Sequence, residues 1–402
     1  MKTYEEYKVS GVKWLGKVPK HWEICRFKDF ISLQTQTSLS ENKIGLENIE
    51  CATGKFIETN SEFEGNGIAF DVGDVIYGKL RPYLKKVWLS TFNGNAVGDF
   101  FVFRAKNTNS ASYIRYVMLS DCFTKEADGS TFGTKMPRVS SNFIMSMRYF
   151  LPPPFEQQAI ADYLDAKTEK MDQMIAKAEK KIEYLGELKQ SLITRAVTRG
   201  LNPNAPLKDS GVKWIGKVPE HWETIKLSRV YSYIGSGTTP LSSQEDYYSE
   251  EGYNWLQTGD LNNGLITQTS KKITKKAIDE CRMKFYPKHS VVIAMYGATI
   301  GKVGLLDLES TTNQACCVIS PTQKMNPLFT FYSFMAAKKE LLLASFGGGQ
   351  PNISQDIIKK LRVPVPPLEE QNAIILSLKK ECDTIDHIIA TQKKKIAYLQ
   401  EL

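Results

Sequence analysis

SGVKWLGKVPKHWE runs from Ser10 to Glu23, and SGVKWIGKVPEHWE from Ser210 to Glu223, 200 residues later, with only two of the fourteen positions changed. A second pair closes the two halves. PPPFEQQAI (Pro152 to Ile160) recurs as PPLEEQNAI (Pro366 to Ile374), and KKIEYLGEL (Lys180 to Leu188) as KKIAYLQEL (Lys394 to Leu402), both at a shift of 214. A repeat this long sets the architecture before any other pattern is weighed. The chain is two copies of one unit, each a divergent body followed by a similar tail. The boundaries expected are a first body over 1–151, a first tail over 152–200, a linker and second body over 201–365, and a second tail over 366–402.

The tails read as helices. Pro152 to Pro154 stop any helix before them, and Glu156 suits the positive end of a helix dipole. Ile160, Leu164, Met171, Ile175, Ala178, Ile182, Leu185, Leu192 and Ala196 then recur mostly at steps of four and three, with polar gaps at Lys167 and Lys189. Lys, Glu and Gln fill the positions between, as in a coiled-coil heptad. The second tail repeats the seam with Ile374, Leu378, Ile385, Ile389, Ile396 and Leu399. A helix of about 45 residues, or roughly 65 Å, does not stand alone in water, and its own copy is the obvious partner. If the halves are related by a pseudo-two-fold, the helices pack antiparallel and the bodies lie at opposite ends. The second tail stops at Leu402, so that coil is expected to be ragged at one end.

The bodies read as mixed α/β (α+β). Asp74–Tyr77, Asp99–Phe103, Ser290–Tyr296 and Gln314–Ile319 have the look of short strands, and Ser112–Leu119 and Leu328–Ala344 of helices. Leu201–Leu207, with two prolines and two asparagines, is the expected hinge.

Composition narrows the function. The hydrophobic share is 42%, and the longest apolar runs fall far short of the roughly 20 residues of a membrane helix. The opening MKTYEEYKVS has no secretory pattern, so a cytoplasmic location is the expectation. Seven cysteines, at 25, 51, 122, 281, 316, 317 and 382, form no CxxC pair, and no histidine stands at ligand spacing, which argues for reduced thiols and against zinc. The net charge of +8 is unevenly spread. Glu156–Gly200 is neutral, with eight charges of each sign, whereas Asp71–Phe150 holds eleven basic against six acidic residues and Lys271–Lys302 eight against two. Each body thus has its own basic stretch.

Catalytic motifs are not evident. The nearest approaches to the NPP-aromatic motif of an adenine methyltransferase, Asn202-Pro203-Asn204 and Asn326-Pro327-Leu328-Phe329, both lack the second proline. Gly297 to Lys302 resembles a phosphate loop but has three residues between its glycines and Val303 after the lysine, where a Walker loop needs four and Ser or Thr. DNA binding, by contrast, asks for cations that reach phosphates and for Arg, Lys, Asn or Gln at base edges. In the first body Lys79, Arg81, Lys85 and Lys86, with Tyr83 and Trp88 among them, fit that demand. On a strand Lys79 and Arg81 would share a face, and Pro82 implies an edge or turn. Lys135 and Arg138, in a loop-like stretch, are candidates to join them. In the second body the candidates are Lys271, Lys272, Lys275 and Lys276, with Tyr296, Lys302, Gln350 and Asn352 in glycine-rich stretches. Trp14, Trp22, Trp214 and Trp222 read as core, and His21 and His221 as hydrogen-bonded within their turn.

The paired SGVKW-x-GKVPxHWE openings and PPxxEQ-plus-heptad tails resemble the specificity subunit of type I restriction-modification systems. GKLRPYLKKVW (Gly78–Trp88), LQTGDLNNG (Leu256–Gly264), AMYGATIGKVG (Ala294–Gly304), TNQACCVI (Thr312–Ile319) and GGGQPNIS (Gly347–Ser354) are similar to segments of that family's target-recognition domains. The resemblance covers essentially the whole chain. It implies a non-catalytic subunit that binds double-stranded DNA and two modification subunits, with restriction subunits added for cleavage. S-adenosylmethionine, ATP and Mg would then sit on the partners and none in this chain. Each body would read half of a split target while the helices set the gap. A reading from another class is a coiled-coil scaffold or decoy that occupies modification subunits without reading DNA.

Overall fold

A computed structural model describes residues 4–12, 16–38, 41–133, 135–345 and 351–401. The chain divides into two compact units, Met1–Gln173 and Met174–Leu402.

In the first unit the central sheet has the order Ile31–Gln34, Phe100–Ala105, Val75–Gly78, Val87–Leu89, antiparallel throughout. Side chains alternate across a strand, and here both faces are covered. Val75, Tyr77 and Phe103 join one core with the helices Ala111–Leu119 and Asp121–Gly129, while Ile76, Phe100 and Val102 join a second with Ile44, Phe70 and Trp88. That is why these strands are nearly continuous apolar runs. A smaller four-stranded sheet (Thr37–Ser38, Gly67–Phe70, Gly94–Ala96, Lys43–Ile44) supplies the second core.

The second unit repeats the plan with additions. Its five-stranded sheet has the order Ile234–Ser236, Cys316–Ile319, Val291–Ala294, Val303–Leu306, Gly264–Ile266. Val291, Ile293 and Cys317 face the main core; Val292, Ala294 and Cys316 face another. The adjacent cysteines therefore point to opposite sides of one strand. Burial pushes both thiols up, Cys317 to about 12. The helix Pro327–Leu343 is capped by Asn326, whose side chain accepts a hydrogen bond from the Leu328 amide at 3.0 Å. A further sheet, Lys271–Ile273, Tyr248–Leu256 and Thr311–Thr312, carries the helix Lys275–Glu280.

The repeated words turn out to be fasteners. In each unit the strand after the HW pair meets the strand before the long helix: Glu23–Arg26 pairs with Arg148–Leu151, and Glu223–Lys226 with Arg362–Val365. The histidines are not bonded within their own turn, as expected from sequence. His21 Nε2 lies 2.6 Å from Glu156 Oε1 and Trp22 Nε1 donates to Oε2 at 2.9 Å; His221 and Trp222 hold Glu370 at the same two distances. Tyr4 adds a third donor to Glu156 at 2.9 Å. Burial opposes ionisation of Glu156, yet the donors Trp22, His21 and Tyr4 hold its carboxyl below the usual range. The next residue is a second fastener. Gln157, fully buried, donates to Pro152 O (2.8 Å) and Asn109 Oδ1 (2.9 Å) and accepts from Ser110 N (2.9 Å). Gln371 donates to Pro366 O (2.8 Å) and Lys324 O (3.2 Å) and accepts from Asn326 N (2.7 Å). Trp22 and Trp222 are buried and Trp214 packs against the core, while Trp14 lies outside the described residues.

Both tails are single helices, Pro154–Arg199 and Leu368–Glu401. The first ends at Gly200, whose φ of +71° and amide bond back to Ala196 O (3.0 Å) form a left-handed cap. A Cβ there would come within 3.1 Å of the Trp222 ring, a second reason for glycine. The seam is covered unevenly. Ile160, expected to face the other helix, instead packs with buried Ala161 on the first unit's own core. Leu164, Met171, Ile175, Ile182, Leu185 and Leu192 are half-buried. In the second unit Ile193, Ala196 and Val197 share the main core with Ile374, Ile375, Leu378 and Cys382, and Lys189 pairs with Asp386 at 2.7 Å. Ile385 and Leu399 are buried, Ile389 and Ile396 half-buried. A heptad count follows one seam, but where a body also lies on the helix the buried face widens, which brings in Ala161, Ile193 and Val197.

Among the described residues no helix is long and apolar enough to cross a membrane.

Candidate nucleic-acid interface

Val75–Gly78 and Val87–Leu89 are joined by residues 79–86, and Val291–Ala294 and Val303–Leu306 by residues 295–302. The two eight-residue connections share one backbone course. Each has two left-handed residues at matched places: Arg81 (φ +51°) and Lys85 (+48°), Gly297 (+83°) and Gly301 (+72°). Gly78 N donates to Lys86 O at 2.8 Å, and Ala294 N to Lys302 O at 2.9 Å. Leu84 N donates to Arg81 O at 2.9 Å, and Ile300 N to Gly297 O at 3.1 Å.

A second segment is laced to each tip in the same way. Leu80 forms an antiparallel bridge with Arg138, and Tyr296 with Asn352. Val139 N donates to Lys79 O at 3.1 Å, and Ile353 N to Met295 O at 2.7 Å. The next serines, Ser140 and Ser354, cap the short helices Ser141–Ser146 and Gln355–Lys360. Each unit therefore presents a hairpin tip tied to the run before a short helix. Lys79 and Arg81 do not share a strand face, as the sequence suggested. The strand ends at Gly78, because left-handed Arg81 and a 3-10 turn over Pro82–Leu84 break the alternation.

The candidate side chains at the first tip are differently engaged. Arg138 forks onto Asp99 at 3.0 and 2.8 Å, and Lys79 stands 3.6 Å from the same carboxylate. The Arg138 hydrogen bonds are the main reason Asp99 is held below its usual range. Lys85 is ion-paired with Asp121, at the start of the helix Asp121–Gly129. Lys86 donates to Leu46 O (2.6 Å) and Ile49 O (2.7 Å), so its ammonium is turned inward. Arg81, Tyr83 (50% exposed) and Lys135 stand out in solvent, with no hydrogen-bond or ion-pair partner for these side chains among the described residues. In the second unit Tyr296 and Lys302 are half-buried at the tip, Asn352 is exposed, and Gln350 lies outside the described residues.

Lys271, Lys272, Lys275 and Lys276 belong to the other sheet and its helix. Lys275 pairs with Asp279 (2.9 Å) and Lys276 with Asp246, which partly neutralises the cluster. Lys271 and Lys272 line an open hollow of about 600 Å³ with Tyr248, Glu250 and Thr269.

What gathers at the tips is guanidinium, ammonium, amide and phenol, the donor set suited to phosphate oxygens and base edges. The sequence placed most of these residues in separate groups and missed their shared frame. Between 75–89 and 291–305 only Val75, Lys86, Val87 and Leu89 recur as Val291, Lys302, Val303 and Leu305, too few to align by eye.

Residues 219–398 match the family described as the type I restriction modification DNA specificity domain. The MjaVIII type I restriction enzyme specificity subunit of Methanocaldococcus jannaschii is 26% identical, covering 98% of this chain and 93% of that protein. The EcoBI specificity subunit of Escherichia coli is 24% identical over 62% of this chain and 54% of its own length. Among solved structures, a chain from work on assembly and conformational transition of the type I R-M system covers 96% of both chains with a TM-score of 0.73 at 20% identity. The HsdS subunit of Thermoanaerobacter tengcongensis has a TM-score of 0.55, also at 20% identity. Residues 219–398 thus match a type I restriction modification DNA specificity domain, and over nearly its whole length the chain is similar to a specificity subunit of a type I restriction enzyme.

Proposed function

We propose that the chain is the DNA sequence-specificity subunit of a type I restriction-modification complex, each body reading one half of a split target. The observation that carries this is the recurrence of one loop frame in both units with different side chains on it, Arg81 and Tyr83 in one and Gly297 and Thr299 in the other. A common frame docks on a common object, and differing side chains suit two unlike half-sites. Arg81, Tyr83 and Lys135 meet DNA in the first body; Tyr296, Lys302, Gln350 and Asn352, with Lys271 and Lys272 at a second patch, do so in the second. Lys79, Lys85, Lys86, Arg138, Lys275 and Lys276 shape these surfaces or contribute charge to them.

The recognition bodies are 1–151 and 201–365. The helices form an antiparallel coiled coil that sets the gap and docks two modification subunits. Support for the antiparallel sense comes from Lys189 meeting Asp386 while the later Ile193 and Val197 share a core with the earlier Leu378 and Ile374. The chain itself is not a catalyst. S-adenosylmethionine, ATP and Mg act on partner subunits, and the complex works in the cytoplasm, where its DNA is.

Single-molecule methylome sequencing of a host carrying the intact system tests this. One methylated adenine motif split by an unspecified gap is expected. A contiguous motif, or methylation independent of this chain, refutes the proposal.

A further inference from the structure

The two tips differ most tellingly at one position. Arg81 and Gly297 occupy the same place in the frame, and both are left-handed, at φ +51° and +83°. Only glycine adopts that conformation without steric cost. Arg81 thus keeps a Cβ where the second unit dispenses with one. Such strain persists where the side chain has work to do.

Lys85 is the internal comparison. It too is left-handed opposite a glycine, Gly301, but its ammonium ties the loop to Asp121. That is a structural use, and among the described residues the Arg81 side chain has no counterpart to it. Its amide donates to Pro137 O at 2.8 Å, which pins the backbone between hairpin and second segment while the side chain extends outward. A long flexible side chain on a fixed base, carrying a planar fork of donors, is well suited to a directional contact.

We infer that Arg81 is a specificity-determining residue that reads a guanine in the half-site met by the first body. This rests on the function proposed above. A phosphate contact carries no sequence information, so a frame shared by both units has reason to keep it in both. A base contact must instead change when the half-site changes, and Arg81 against Gly297 is such a change. Arginine's fork matches guanine O6 and N7 in the major groove.

The test compares the wild-type chain with Arg81→Gly and Arg81→Lys, each expressed with its partner subunits, by methylome sequencing and by competition binding to targets varied one base pair at a time. Arg81→Gly copies the second unit's residue and relieves the left-handed strain, so the fold is expected to persist, and a melting curve checks it. The wild type should require a guanine in one half-site. Arg81→Gly should lose about 5- to 150-fold of discrimination at that base pair and none in the other half-site. Arg81→Lys keeps the charge but not the fork and should relax the same position. Unchanged discrimination in both variants, or equal weakening at every sequence, overturns the inference and leaves the proposed function standing. A wild-type chain that directs no split motif overturns the proposed function, and this inference with it.

Discussion

Replacing Gln157 with Leu tests whether the repeated EQ pair is a structural fastener. The side chain is fully buried and fills three bonding positions at 2.8–2.9 Å, to Pro152 O, Asn109 Oδ1 and Ser110 N. Leucine has nearly the same bulk, so packing changes little, but all three partners lose their mate. A buried polar group left unsatisfied costs about 1–3 kcal/mol. The Pro152 carbonyl pays this in full, while Asn109 and Ser110 are half-buried and recover part of it from water, for a total of about 2–4 kcal/mol. In a unit of this size each kcal/mol lowers the melting temperature by about 2–4 °C, so a drop of about 4–16 °C is expected in the transition of the first unit. Differential scanning calorimetry of the full chain measures it. Gln371→Leu should act on the second unit's transition. Gln158→Ala, at the exposed neighbour, should change stability by no more than about 0.5 kcal/mol. A Gln157→Leu chain melting within about 1 °C of wild type would refute the reasoning, because three orphaned groups would then have cost nothing.

The ammonium of Lys86 faces the carbonyls of Leu46 and Ile49, so Lys86→Met should lower denaturant stability by about 1–3 kcal/mol while leaving the salt slope of DNA binding unchanged; a slope smaller by about one unit at full stability would mark it as a phosphate contact instead. The Lys189–Asp386 pair is partly exposed, and a double-mutant cycle should return a coupling of about 0–1 kcal/mol that fades in high salt. Glu156 has a folded pKa below its ordinary 4.5, so its contribution is present above that value and lost as pH falls from there toward the depressed one. Glu156→Gln should therefore be less stable than wild type at pH 7 and lose less between pH 5 and 3, and equal acid sensitivity in the two chains would contradict the clamp.

Much of the fold was legible because repetition is independent of propensity. Closely repeated words at the start and end of each half announced two units, and proline blocks followed by three-and-four spacing announced the long helices, the first of which runs from Pro154 to Arg199, within a few residues of the ends expected. The main strands were legible as apolar runs, since a sheet covered on both faces needs apolar residues at successive positions. The function of the repeated words was not. His21 and Trp22 lie more than 130 residues before Glu156, and nothing local says that an indole and an imidazole close on one carboxylate. Ile160 was misread for a related reason: periodicity names the apolar face of a helix but not what covers it.

The candidate interface divides along the same line. From sequence alone came its residue types and neighbourhoods, because charge and glycine content are properties of short stretches. Which cations face inward was a tertiary decision: Lys86 bonds carbonyls some forty residues back, Arg138 forks onto Asp99, and Lys85 is bound to Asp121. So was the shared frame, since backbone dihedrals and lacing between Leu80 and Arg138 or Tyr296 and Asn352 leave almost no trace in residue identity. Duplication is written in the letters; which side chains remain available to a ligand depends on long-range partners that only the folded chain brings within bonding distance.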